Sequence, residues 1–135
     1  MTTDGEVTLA EALGLTEELG STIARIAEAE LEAGRIGAAR TILEGLVVSN
    51  PKEPLAWVLL ARAHRAEKQP LAARFCAEVA GSLAPDEPMV RLARAEGLLP
   101  YPEERSQALQ LLGNLAAGEG AEADRARRLL AAAGG

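Results

Sequence analysis

The residues in this chain that could do covalent chemistry are few. There is one histidine, His64, one cysteine, Cys76, and adjacent carboxylate pairs such as Glu17–Glu18 and Glu103–Glu104. Nucleophilic catalysis needs a base beside the nucleophile and a third group that orients the base. With a single imidazole the chain has no second candidate for such a relay. His64 falls within a helical pattern and reads as a packing histidine. Cys76, between Phe75 and Ala77, reads as a small buried hydrophobe. Both of these named pairs fall in the first turn of an expected helix, where negative charge suits the helix dipole. The sequence contains no Gly-rich phosphate loop ending in Lys, no HExxH and no CxxC. The expectation is a non-enzymatic protein with no catalytic residue, no metal and no cofactor.

A second set of residues points to non-covalent chemistry. Glu28, Arg62 and Glu96 form an evenly spaced acid–base–acid series. One reading makes them a polar track that grips a peptide backbone. The other, favoured because neighbouring opposite charges tend to pair, makes them an ion-pair ladder that orders a stack of repeats. Both readings require elements that recur at the same interval.

Such elements are visible when the chain is slid against itself by that interval. Ala27 falls on Ala61 and Ala61 on Ala95; Ala39 falls on Ala73; Pro51 and Pro54 fall on Pro85 and Pro88. In the third copy the register slips by one, because Ala108 lies one place further from Ala73 than Ala73 lies from Ala39. An extra residue in the turn 99–104 accounts for it. A fixed period of about 34 residues signals stacked supersecondary units.

Each unit reads as two helices. The first helices are expected over 21–33, 54–66 and 88–98, the second over 37–48, 70–82 and 104–116. Apolar residues recur at helical spacing, as in Ile23, Ile26, Ala27 and Leu31. Gly34 ends the first helix as a left-handed cap would. Pro51 closes one unit, since the residue before a proline is driven out of the helical region. Pro54 and Pro70 open helices with φ already set. Trp57, one turn past Pro54, is expected to pack against the preceding unit. A last helix over 121–133 would cover the open apolar face of the third unit. At the front, Thr8 and Glu11 have capping-box spacing, so 8–13 reads as a short helix before Gly14. The alternative is one long helix from about 16 to 33, interrupted by Gly20.

Composition narrows the function classes. Ala and Leu are the two commonest residue types in the chain, and both are favourable in helices. Only Trp57, Phe75 and Tyr101 are aromatic, so the core must pack Leu against Ala. The net charge of −6 disfavours nucleic acid as a partner. Residues 1–32 carry −7 of it and the remainder +1. No apolar run approaches the ~20 residues that span a bilayer. The acidic start lacks the features of a secretory signal. One cysteine rules out an internal disulfide and agrees with a reducing compartment. A cytoplasmic protein is expected.

The small residues, turn glycine and closing prolines resemble the tetratricopeptide repeat (TPR). Trp57, Ala61, Ala73, Ala80 and Pro85 fill that family's signature places in the middle unit; Ala27, Gly34, Ala39, Leu43 and Pro51 fill them in the first. The third unit keeps Ala95 and Ala108. The resemblance implies an all-α, right-handed superhelix of three TPR-like hairpins with a C-terminal capping helix. The expected organisation is an extension over 1–19, repeats over 20–53, 54–87 and 88–117, and a cap with its tail over 118–135. A narrower resemblance is to the class II chaperones of type III secretion. It rests on LEAGRIGAARTILEGL (31–46) and RLARAEGLL (91–99), with Gly97 where that family usually has Cys.

The TPR resemblance implies that each unit's second, fifth, ninth and twelfth places face a concave groove. These are Ser21, Ala24, Glu28 and Leu31; then Leu55, Val58, Arg62 and Arg65; then Met89, Leu92, Glu96 and Leu99. The candidate peptide-binding residues are Glu28, Leu31, Leu55, Val58, Arg62, Arg65, Met89, Leu92 and Glu96. The chain lacks the inner Asn and Lys of TPR clamps that hold a terminal carboxylate. The implied partner is an extended protein segment with aliphatic side chains, on the narrower resemblance a hydrophobic secreted translocator. A different reading makes the chain an assembly subunit, acting through its convex face or a homodimer formed by residues 1–20.

Overall fold

The computed structural model describes residues 17–134. Seven α-helices follow in order: α1 (Glu17–Glu32), α2 (Ile36–Ser49), α3 (Pro54–Ala66), α4 (Pro70–Leu83), α5 (Pro88–Leu98), α6 (Arg105–Ala116) and α7 (Ala121–Gly134). A 3-10 turn, Pro102–Glu104, leads into α6. Among the described residues there is no strand, and no helix is long and apolar enough to cross a membrane.

Three helices, α3, α4 and α5, begin on a proline at the first helical position. The missing amide costs nothing there, and the ring presets φ. The Glu53 side chain also accepts from the Leu55 amide at 3.2 Å, so α3 starts on a capped proline. The hairpin turns are equally specified. After α1, Gly34 at φ 84° lets its amide reach the Leu31 carbonyl and lets the Arg35 amide reach Glu30, at 3.0 and 2.9 Å. The same two bonds recur after α3, from Lys68 to Arg65 and from Gln69 to His64. Lys68, the counterpart of Gly34 in the next unit, sits at φ 61°, so there the left-handed position is held by a residue with a Cβ. The third hairpin replaces this turn by the proline-led 3-10 turn, which accounts for the shift of register.

Consecutive helices pack as hairpins: α1 on α2, α3 on α4, α5 on α6. The first helices of the hairpins also lie beside one another, α1 against α3 and α3 against α5, and α7 continues the row against α5. The closing helix thus takes the place that the first helix of a fourth unit would occupy. Arg127 ties it to the end of α6 by donating to the carbonyls of Ala116, the last residue of α6, and of Gly118 beyond it, at 3.0 and 2.6 Å. Arg105 donates to Ala133 near its end.

The repeated alanines lie at these contacts. Ala27, Ala61 and Ala95, and likewise Ala39, Ala73 and Ala108, are wholly buried. A methyl group is the largest side chain that lets two helices approach this closely. Leu43, Leu59, Leu112 and Val90 fill the space between them. Gly97 extends the same logic between units, since a Cβ there would lie 3.4 Å from the Arg74 Cα on α4.

Two expectations need adjustment. The first helix starts at Glu17 and runs unbroken through Gly20, closer to the longer of the two readings. Gly20 packs against the end of α2, where a Cβ would meet the Asn50 side chain at 2.7 Å. Its glycine therefore serves a close approach and not a helix stop. The 8–13 helix and most of the dimerisation segment 1–20 lie outside the described residues. Trp57 does reach the preceding unit, where its Nε1 donates to the Pro51 carbonyl at 2.7 Å. It also meets Phe75 of α4 edge-on, with ring centroids 6.4 Å apart.

Lys68→Gly should raise stability by about 0.5–1 kcal/mol in urea unfolding, because it relieves a left-handed conformation that glycine adopts freely. No gain would mean that the turn is not the strained point it is taken to be.

Candidate functional site

The row of α1, α3, α5 and α7 encloses a groove with a cavity of ≈ 520 Å³. Its apolar floor comes from Leu55 and Val58 of α3 and Met89 and Leu92 of α5. All four are half-buried. They fall on one side of their helices because they are three places apart within α3 and within α5. Around this floor stand Glu28, Arg62, Arg65 and Glu96.

Eight of the nine sequence-derived groove residues therefore line one cavity. Leu31 does not; only 7 % exposed, it belongs to the core cluster with Ala27, Ala39 and Leu43. Of the further inner places, Ser21 lines the cavity. Ala24 is fully buried, and Leu99 packs on the apolar cluster of α6 and α7. The rim is more polar than expected. Glu53 and Glu87, the N-caps of α3 and α5, and Arg25 line it. At the far end Arg62, Arg65, Leu92 and Glu96 also line an adjoining recess, with Arg125 and Arg128 of α7. These α7 residues lie outside the sequence-derived set because the pattern over 121–133 implies only a helix that covers the third unit. Numbered as a fourth first helix from Ala121, its second and fifth places are Glu122 and Arg125.

The charges in the groove pair across helices. Arg62 of α3 reaches Glu28 of α1 at 3.8 Å, and Glu28 also pairs with Arg25 at 3.0 Å. Glu96 of α5 does not take Arg62. Its two oxygens receive Arg65 of α3 at 2.8 Å and Arg125 of α7 at 3.1 Å. The acid–base–acid series is thus a ladder in which each neighbouring pair of helices in the row shares one ion pair. Glu96 is the one charged side chain buried among the described residues, at 8 % exposure. Burial holds the Arg65 guanidinium below its ordinary pKa; Glu96 works in the opposite sense, and the nearby Arg125 and Arg62 add to the lowering.

His64, Cys76 and Glu104 do not converge. His64 Nδ1 lies 2.9 Å from the Gln69 side-chain oxygen in the α3–α4 turn. Cys76 is buried in the core, and burial pushes its thiol up to about 11. Glu104 pairs with Arg74, whose guanidinium stacks over Tyr101 at 4.7 Å from the ring centre. Among the described residues no group of three or more His, Cys, Asp or Glu could hold a metal ion.

Residues 21–63 match the family model of the tetratricopeptide repeat. Nearly the whole chain superposes on the Yersinia enterocolitica type III secretion translocator chaperone SycD, with a TM-score of 0.75 over 95 % of this chain and 99 % of that one. This is a tetratricopeptide-repeat fold. The sequence identity to SycD is 19 %. A type III secretion (T3SS) complex from Aeromonas hydrophila gives a TM-score of 0.75 at 22 % identity, over 90 % of this chain and 82 % of that one. The CopN–Scc3 complex gives 0.73 at 16 % identity, over 96 % and 78 %. Comparison with curated proteins finds no match. The TPR array is the right-handed superhelix with a closing helix that the sequence implied.

Two outcomes follow from the groove and core. Glu96→Ala should cost about 2–3 kcal/mol in urea unfolding, because it strands Arg65 beside two other guanidinium groups; the half-exposed Arg125 softens the loss. At pH 8 only about one Cys76 in a thousand would be thiolate. Alkylation should therefore proceed only at the rate of unfolding, and fast labelling of the folded protein would contradict the burial of this thiol.

Proposed function

We propose that this chain is a non-enzymatic TPR module that holds an extended segment of a partner protein in its concave groove. We further propose that it acts in the cytoplasm as a chaperone for a hydrophobic translocator-type protein of a type III secretion system. The observation that carries the reading is the apolar floor of Leu55, Val58, Met89 and Leu92, contributed by two adjacent helices and framed by charge. An extended segment places alternate side chains on one side, so aliphatic residues at that spacing can seat on the floor while its backbone meets the charged rim. The likeness in fold to SycD, described as a translocator chaperone, supports the same assignment. Each seated side chain contributes through burial at about 25 cal/mol per Å², set against the cost of ordering the segment.

A second reading also has support. Val48 of α2 and Leu71 and Phe75 of α4 are 62–72 % exposed, on helices that contribute nothing to the groove lining. An assembly role through this outer face would use them.

A displayed library of random peptides, panned on the purified protein, tests the groove. Aliphatic residues at alternate positions should be enriched. The best peptide should lose at least ~10-fold in affinity to Val58→Asp/Leu92→Asp, a double variant whose helicity is checked by circular dichroism, since burying a charge on the floor is unfavourable. Equal affinity in a folded double variant would rule out the groove. Loss of binding on Phe75→Ser instead would favour the outer face.

A further inference from the structure

The recess where α3, α5 and α7 meet has a chemistry of its own. Four arginines line it: Arg62, Arg65, Arg125 and Arg128. Glu96 is the carboxylate they enclose, and both of its oxygens are already engaged, one by Arg65 and the other by Arg125. Arg65 binds Glu96 through Nη2, while its Nη1 is buried and has no hydrogen-bond partner. A buried guanidinium N–H without an acceptor is unfavourable, and an oxygen acceptor would remove the penalty. Arg62 reaches Glu28 only at 3.8 Å, and Arg128 makes no ion pair among the described residues. The remaining acids on the lining, Glu32 and Glu122, make no ion pair there either. Leu92 lines both this recess and the apolar floor, so one bound segment would touch the two together.

We propose that this recess binds an Asp or Glu side chain of the docked segment, through Arg62 and Arg128 with the Arg65 guanidinium behind them, beside an aliphatic residue seated against Leu92. The proposal rests on the groove reading and adds the partner's chemistry: an aliphatic segment with one acid at its α7 end. A planar guanidinium suits a carboxylate. The burial that depresses Arg65, reinforced by Arg62 and Arg125, is the setting in which an added anion is favoured. A side chain is preferred over a chain terminus because the recess and the main groove share their lining and form one continuous trough, through which a segment can pass.

The panning experiment separates this proposal from the reading beneath it. Library peptides are embedded in a display protein, so they present no terminal carboxylate. The wild-type protein should enrich Asp or Glu at a fixed distance from the aliphatic positions. The Arg128→Gln variant, altered at an exposed site outside the main groove, should keep the aliphatic pattern and weaken the enrichment of the acid. The best peptide, made synthetically with blocked ends, should bind about tenfold more weakly when its acid is changed to the matching amide. Enrichment of aliphatic residues without an acid, or an amide peptide within twofold of its parent, would overturn the anchor and leave the groove reading standing. A free C-terminus that restores the amide peptide would overturn the choice of a side chain. No enrichment of any pattern would sink the groove reading and the anchor with it.

Discussion

Two helix axes can come only as close as the bulkiest side chain between them allows, and this protein depends on that constraint at six alanines. Ala27, Ala61 and Ala95 in the first helices, and Ala39, Ala73 and Ala108 in the second, are fully buried. They set the spacing within each hairpin and leave room for leucines to fill the layers between hairpins. A larger side chain at any one of them would push a helix outward and displace every unit stacked beyond it. With so few aromatic residues in the whole chain, the core has little else with which to absorb such a shift. Close packing of small residues is therefore both what holds the array together and what aligns its first helices into a trough.

The trough brings charge into a place where charge is expensive. Glu96 is nearly enclosed, and it is tolerated because two guanidinium groups from different helices complete its hydrogen bonds. The arrangement ties α7 to α5 and α5 to α3 through one carboxylate. The closing helix consequently does more than cover an apolar face. It supplies Arg125 to the ladder and Arg128 to the rim, and it is held by Arg127 on the carbonyls at the end of α6. Cap and groove wall are the same element.

The outer layer differs in kind. Phe75 is largely exposed although its edge-on contact with Trp57 fixes its ring, and Trp57 in turn is hydrogen-bonded to the turn at Pro51. This aromatic pair links the inter-unit turn to the second helix of the next hairpin. It explains why the prolines at 51 and 54 precede the single tryptophan so closely: the turn they shape presents the carbonyl that the indole requires.

Much of this could be read from the amino acids alone, where the determinants are local. Proline presets φ, glycine accepts the left-handed turn, and the periodic recurrence of alanine reports which faces must touch; so the helices, their order and their pairing were legible. Most of the groove lining was legible for the same reason, through helical spacing within α3 and α5. What escaped depended on contacts between residues far apart in the chain. Gly20 looked like a helix stop until Asn50 was found packed against it. Leu31 occupied an inward place by spacing yet turned into the core. Glu96 chose Arg65 and Arg125 over the periodic partner Arg62. A period identifies equivalent positions in each unit, but it cannot rank competing partners for a charge. Only the three-dimensional placement of α3, α5 and α7 decided that ranking, because ion pairing falls off with distance and the distances are set by the packing of the helices.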